Sequence, residues 1–165
     1  MKKISFSLFL LSLLLVVLLV SCSKTQVYRD DISCQTLCKA VCDKAEVSGG
    51  YSEYDNDHVA FLFGEDSLYE DCSIMYSTEV TDINELGFFH CENKDNAKEF
   101  AEIVSKYITE MQNDQKAFIE SYAPSQVPKL RNAEVRQYGN YVIYLVMSAD
   151  DKEDAIEEIE KMLEK

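Results

Sequence analysis

Tryptophan is missing from this 165-residue chain, and glycine (5) and proline (2) are scarce. So few turn-formers exclude collagen-like and low-complexity sequences. Positive charge is also short, with 16 Lys plus Arg against 30 Asp plus Glu and a formal charge of −14. A chain so acidic lacks the basic footprint that a nucleic-acid backbone demands, which excludes nucleic acid as a partner. The length admits one ordinary domain and leaves no room for a multidomain enzyme. What is present, 47% hydrophobic and 28% charged residues, is the composition of a folded domain.

The first twenty-two residues speak to location. Lys2 and Lys3 precede an uncharged run, Ile4 to Val20, built almost entirely of Leu, Val, Phe and Ser. Such a positive start before an apolar stretch is the layout of a secretory signal. The run closes on Leu19-Val20-Ser21-Cys22, which resembles the lipobox of bacterial lipoproteins. That resemblance implies a diacylglyceryl group on the Cys22 sulfur and cleavage between Ser21 and Cys22. Two rival readings are an uncleaved anchor and an ordinary signal with an incidental Cys22. The first falls short of the ~20 apolar residues a span usually takes, and the second leaves the register of small and aliphatic residues before Cys22 unexplained.

Residues 1–21 are thus expected to be a lipoprotein signal peptide, and 22–30 a lipidated N-terminus with a short tether. The tether reaches at most ~25 Å. Loss of Lys2 and Lys3 with the leader takes the formal charge from −14 to −16. No polybasic patch would hold so acidic a body to an anionic bilayer, so the covalent lipid must be the membrane partner.

Residues 31–165 read as a single α+β domain. Asp30 and Asp31 are natural caps for an N-terminal helix over about 31–45, with Cys34, Leu37, Cys38, Val41, Cys42 and Ala45 on one stripe. Ser48-Gly49-Gly50 ends it. Asp57 to Phe63 fits one or two helical turns, or a short buried strand. Two strands follow. Cys72 to Val80 places Ile74, Tyr76, Thr78 and Val80 on one face. Glu85 to Glu92 places Leu86, Phe88 and His90 opposite Phe89 and Cys91. A long helix from Asp95 or Asn96, with Asn96 and Glu99 as capping pair, carries its stripe through Phe118 and Tyr122 until Pro124 and Pro128 stop it. Ala133–Tyr138 and Tyr141–Ser148 make a hairpin over Gly139-Asn140, its second strand apolar on both faces and expected to be central. A helix over about 151–164 closes the chain. The order predicts an antiparallel four-stranded sheet with helices packed on one face, preceded by the N-terminal helix.

Three segments then carry a likeness: Asn84-Glu85-Leu86-Gly87-Phe88-Phe89, Gln115-Lys116-Ala117-Phe118 with Tyr122 and Pro124, and Gly139-Asn140-Tyr141-Val142. Together they resemble a family of uncharacterised lipoproteins from Gram-positive anaerobes that carries a domain of unknown function. The likeness runs from about Asp31 to Leu163. It implies the fold and the membrane address, and brings no activity, cofactor or catalytic residue. The three cysteines of the first helix are a departure from its pattern.

With Cys22 lipidated, Cys34, Cys38, Cys42, Cys72 and Cys91 remain, an odd number. Cys34, Cys38 and Cys42 repeat every four residues, which puts neighbouring Cβ atoms roughly 5–6 Å apart. A disulfide wants ~3.8 Å, so a bridge from one of the three to Cys72 or Cys91 is expected instead. Cys34 and Cys42 lie ~12 Å apart along a helix, too far for one zinc to gather all three, and the spacing differs from iron–sulfur runs. The simplest reading is small buried hydrophobes. His90 and Cys91 point to opposite faces of a strand. His58 follows Glu53, Asp55 and Asp57 and reads as a helix-start residue rather than part of a cation site. The chain has no metal, phosphate-loop, nucleophile-elbow or dinucleotide motif, so neither a metal nor a cofactor is expected. Tyr28, Tyr51, Tyr54, Tyr69 and Tyr138 lie off the core stripes and suit either half-burial or contact with a partner.

The function expected from these features is a membrane-anchored extracytoplasmic lipoprotein whose domain is a non-catalytic interaction or binding module for a protein or small molecule. The alternative is a thiol-based redox or metal-handling lipoprotein that uses the cysteine-rich first helix. A solute-binding protein of a transporter is disfavoured, since the chain is too short for two lobes.

Overall fold

The computed structural model describes residues 26–45, 50–64 and 68–165. The leader, Ser21, Cys22 and the start of the tether lie outside the described residues, as do Ser48 and Gly49 of the expected helix end. Helix α1 spans Cys34–Lys44, strand β1 Tyr51–Glu53, α2 Asn56–Phe63, β2 Tyr69–Ser77 and β3 Glu85–Cys91. Helix α3 follows at Lys94–Asp114, then α4 at Lys116–Tyr122, a 3-10 turn at Pro124–Gln126 and α5 at Val127–Arg131. Strands β4 (Glu134–Tyr138) and β5 (Tyr141–Val146) lead to α6 (Ala149–Leu163).

The class is α+β, but the sheet has five strands, in the order β1-β2-β3-β5-β4, every neighbouring pair antiparallel. The extra strand is β1. Its three residues are too few to show a period of two, and it begins just after Gly50, whose φ of 82° needs a glycine. Strand β5 is interior, flanked by β3 and β4, while β3 takes the middle.

Helices cover both faces rather than one. Phe88 and Phe89 are successive residues of β3, point to opposite sides and are each 0% exposed, so each side needed a cover. On one side α1 and α6 pack over Leu86, Phe88, Ile143 and Leu145. On the other, α2 to α5 pack over Ile74, Phe89, Val142, Tyr144 and Val146.

Local chemistry sets the element ends. Ser33, not Asp30 or Asp31, caps α1 by accepting the Thr36 N–H. Asp55 caps α2, which fixes that ambiguous segment as a helix, and Gly64 at φ 87° ends it. Asn93 caps α3 by accepting from the Asp95 and Asn96 N–H groups, one turn ahead of the expected Asn96 and Glu99 pair. Ser148 caps α6 through the Asp151 N–H.

The long stripe does not run on to Tyr122. The helix breaks at Gln115, and α4 buries Ile119 while leaving Phe118 64% and Tyr122 74% exposed. Pro124 and Pro128 start short helical turns, as proline does in a first turn. Strand β2 ends at Ser77, so Thr78 and Val80 lie beyond it and Val80 is exposed. The β4–β5 turn puts Gly139 at φ 63° as its first central residue with Asn140 at negative φ, the backbone of a type II′ hairpin.

Candidate functional site

Strand β3 opens with an acid that sinks into the protein. Glu85 is 8% exposed and lies on the α3 side of the sheet with Phe89 and Cys91. Its Oε1 accepts the hydroxyls of Tyr107 on α3 and Tyr144 on β5, both at 2.7 Å, and its Oε2 accepts Tyr54 at 3.2 Å. Among the described residues no Lys, Arg or His nitrogen lies within salt-bridge distance of it.

Backbone register makes this cluster possible. Gly87 pairs with Tyr144 across β3 and β5, and the Tyr144 ring lies directly over it. A Cβ at residue 87 would sit 2.1 Å from Tyr144 Cε1. Glycine there lets the ring cross the strand and deliver its hydroxyl to Glu85, two residues back on the same face. Tyr107 arrives from the inner stripe of α3, and Tyr54 from the segment between β1 and α2. Tyr54 is the middle ring of a stack, 4.1 Å from His58 and 4.4 Å from Tyr76.

Burial, and then the Glu85 charge, push the Tyr54, Tyr107 and Tyr144 phenols above their ordinary range. All three therefore remain protonated donors. Burying a carboxylate costs several kcal/mol, and a hydrogen bond to a charged group contributes about 1.5–3 kcal/mol. Three such bonds are of the right size to offset the burial of a carboxylate without a cation.

A recess of about 200 Å³ opens beside the cluster, lined among others by Tyr54, Tyr76, Asp82, Glu85, Met111 and Gln115. Asp82 is already matched, with Lys129 Nζ 2.6 Å from its Oδ1. The Glu85 charge is not.

The cysteines form no comparable centre. Cys34, Cys38, Cys42, Cys72 and Cys91 are all free thiols, so the expected bridge to Cys72 or Cys91 is not made. The sheet is the reason. Cys34, Cys38 and Cys42 lie in the α1–α6 layer, while Cys72 and Cys91 belong to the α3 layer. Cys34 is held in place, its amide donating to Asp71 Oδ2 at 2.7 Å and its thiol to the Asp71 carbonyl. Burial pushes the Cys34, Cys38 and Cys72 thiols up, and Cys91 to about 11. Neutral buried thiols are poor nucleophiles and poor metal ligands. Among the described residues no three His, Cys, Asp or Glu side chains are grouped to hold a metal ion.

His90 and Cys91 do face opposite ways. His90 Nε2 lies 2.7 Å from Asp30 Oδ1, over the Tyr141 ring. His58 begins α2, its amide donating to Asp55. Of the tyrosines off the stripes, Tyr138 is buried, Tyr28 packs edge-on against it, and Tyr54 enters the site.

Residues 44–148 match the domain of unknown function DUF4358, well over half the chain. The chain belongs to that family. The match is narrower than the likeness from Asp31 to Leu163, because it leaves out α6 and nearly all of α1. Cys34, Cys38 and Cys42 therefore fall outside the DUF4358 span, while Tyr54, Glu85, Gly87, Tyr107 and Tyr144 fall inside it. No curated protein and no solved structure matches the chain.

Glu85, Gly87, Tyr107 and Tyr144 were not singled out as site residues by sequence reasoning. One signal was available: an acid two residues before a glycine, opening a strand that is apolar on both faces from Leu86 to Phe89. Such an acid must find partners inside the protein.

Proposed function

We propose that the protein is a lipoprotein of a Gram-positive bacterium, anchored on the extracytoplasmic face of the cell membrane, and that its domain is a non-catalytic binding module. The observation that carries the address is Lys2-Lys3, the uncharged Ile4–Val20 run and Leu19-Val20-Ser21-Cys22 in register behind it. Among the described residues no helix is long and apolar enough to cross a membrane. Attachment in this reading falls to the acylated Cys22 sulfur, since the acidic domain supplies no basic surface.

Support for a binding role comes from the Glu85 cluster, which lies within the DUF4358 span. A buried carboxylate without a counter-ion, held by three phenols and bordered by a recess, is a prepared polar site in an otherwise apolar layer. Thiol chemistry is the weaker reading, because burial holds Cys34, Cys38, Cys72 and Cys91 neutral.

Substitution Cys22→Ser tests the address. The parent chain should partition into detergent and carry the added mass of acyl chains, and the variant should do neither. Equal partitioning and equal mass of the two would overturn the reading. Cross-linking of the intact lipoprotein in its own membrane, followed by mass spectrometry, then identifies what the domain holds.

A further inference from the structure

We infer that the recess beside Glu85 is a binding site for a small organic ammonium ion. This deepens the binding-module reading and rests on it. The argument begins with charge. Glu85 is 8% exposed and has no cationic partner among the described residues, whereas Asp82 across the recess is paired with Lys129. A cation entering here meets a carboxylate with no cationic partner whose own low exposure limits screening by water, so that Coulomb attraction is stronger than at a fully solvated acid.

Geometry points the same way. Oε1 is committed to two hydroxyls at 2.7 Å, while Oε2 has one bond, at 3.2 Å, and so keeps acceptor capacity for an N–H or a close N–CH₃. Tyr76 is the end ring of the His58–Tyr54–Tyr76 stack and lines the recess. Its π face suits an alkylammonium group. Met111 and Gln115, also in the lining, belong to the last turn and C-cap of α3, the negative end of a 21-residue helix.

Size and donor set define the class. About 200 Å³ is below the ~300–1,000 Å³ typical of drug-sized ligands, so the occupant is small. A metal ion is disfavoured. It needs several oxygens at once, yet Glu85 Oε1 is taken by phenols that keep their protons and Asp82 is taken by Lys129. An organic ammonium ion needs only one carboxylate edge and an aromatic wall.

The test uses the full chain in mild detergent, titrated calorimetrically with choline, and with 3,3-dimethylbutan-1-ol as choline's uncharged isostere, at constant ionic strength. Choline should bind saturably and the isostere at least about thirtyfold more weakly. Glu85→Gln should weaken choline by a similar factor. Tyr76→Leu, which leaves all three phenol bonds to Glu85 in place, should weaken it roughly three- to fivefold. If Glu85→Gln fails to fold by circular dichroism, Tyr76→Leu decides. Equal binding of the isostere, no saturable binding of choline by the folded parent, or a folded Tyr76→Leu that binds as the parent does would each overturn the site. A folded chain that cross-links to a protein but takes up no choline sinks this inference and leaves the binding-module reading standing.

Discussion

The two faces of the sheet are built to different rules. Toward α1 and α6 the layer is mainly aliphatic side chains and buried thiols, with three buried rings, Phe88, Tyr138 and Tyr141; Cys34, Leu37, Cys38, Phe88, Ile159 and Leu163 are all at 0% exposure. Toward α3 the layer is aromatic, with Phe63, Phe89, Phe100, Tyr69 and Tyr144 in mutual ring contact, and it takes in the Glu85 charge. The first face closes the protein. The second holds an interior charge satisfied by phenols, which a fold requiring only stability would replace with hydrocarbon. A single strand, β3, separates the two layers, and its alternate residues serve opposite ones.

The strongest way to break the comparison is at Gly87. Gly87→Ala places a Cβ 2.1 Å from Tyr144 Cε1, and the ring has no room to retreat within a layer of packed aromatics. We expect a loss of about 3 kcal/mol or more in chemical denaturation, at the upper end of overpacking costs. In a Tyr144→Leu background the same substitution should cost far less, because the colliding ring is gone. Equal costs in the two backgrounds would mean that Gly87 is needed for something other than passage of the ring.

Next in size is Tyr144→Phe. It removes one of the two 2.7 Å hydrogen bonds to Glu85 Oε1 and leaves the packing intact. The expected loss is about 1.5–3 kcal/mol, as for a bond to a charged group. The matching control on the other face is Tyr141→Phe, whose hydroxyl donates to the Ile32 carbonyl and accepts the Ile32 N–H at the protein rim. Its cost should be smaller, about 1 kcal/mol, since no buried charge depends on it. If Tyr141→Phe costs as much as Tyr144→Phe, the claim that the α3 face holds a charge in need of donors fails.

These contrasts show what could be read in the chain and what could not. The inner stripes of α1 and α6, the alternation of Leu86, Phe88 and Phe89, Cys91, and the Gly139-Asn140 turn are local patterns, and all were legible. Coverage of the second face was legible in part: Val142 to Met147 is apolar on both sides, which already requires two layers. The break at Gln115 was not, because Phe118 and Tyr122 continue the three-four spacing of the α3 stripe, and only the break lets Ile119 take the buried side in their place. Glu85 lay hidden for another reason. Its partners come from 31 residues before it and from 22 and 59 residues after it, and no local period reports a contact at that range. The thiol bridge failed as an expectation because spacing along one helix does not say which side of a sheet the other cysteines occupy.

Alkaline pH separates the faces by their thiols. The ordinary thiol value is 9.0; burial pushes Cys91 up to about 11 and raises Cys34 and Cys38 as well. The folded chain thus keeps protons that the unfolded chain gives up. This contribution is complete below about pH 9 and is lost as pH climbs from 9 through 11, by about 1.4 kcal/mol per pH unit for each such thiol. Denaturation midpoints should fall across that range. Cys38→Ala and Cys91→Ala should each flatten the slope by about one thiol's worth, one on each face. A slope unchanged in both variants would show that the thiols ionise alike in the folded and unfolded chains.

The smallest effect belongs to the segment that leads toward Cys22. Residues 28–32 lie along the edge of the first face, held by the Arg29 N–H on the Leu163 carbonyl, the two Tyr141 bonds to Ile32, and Asp30 between His90 and Asn140. Asp30 is half exposed, so its pairing with His90 Nε2 at 2.7 Å is worth under about 1 kcal/mol. Asp30→Asn should leave the global denaturation midpoint almost unchanged. It should nonetheless speed amide exchange at Arg29 and Ile32, because the segment then depends on fewer fixed points. Unaltered exchange at both amides would mean that Tyr141 and Leu163 hold the segment alone, and that the Asp30–His90 pair contributes nothing to its fixing.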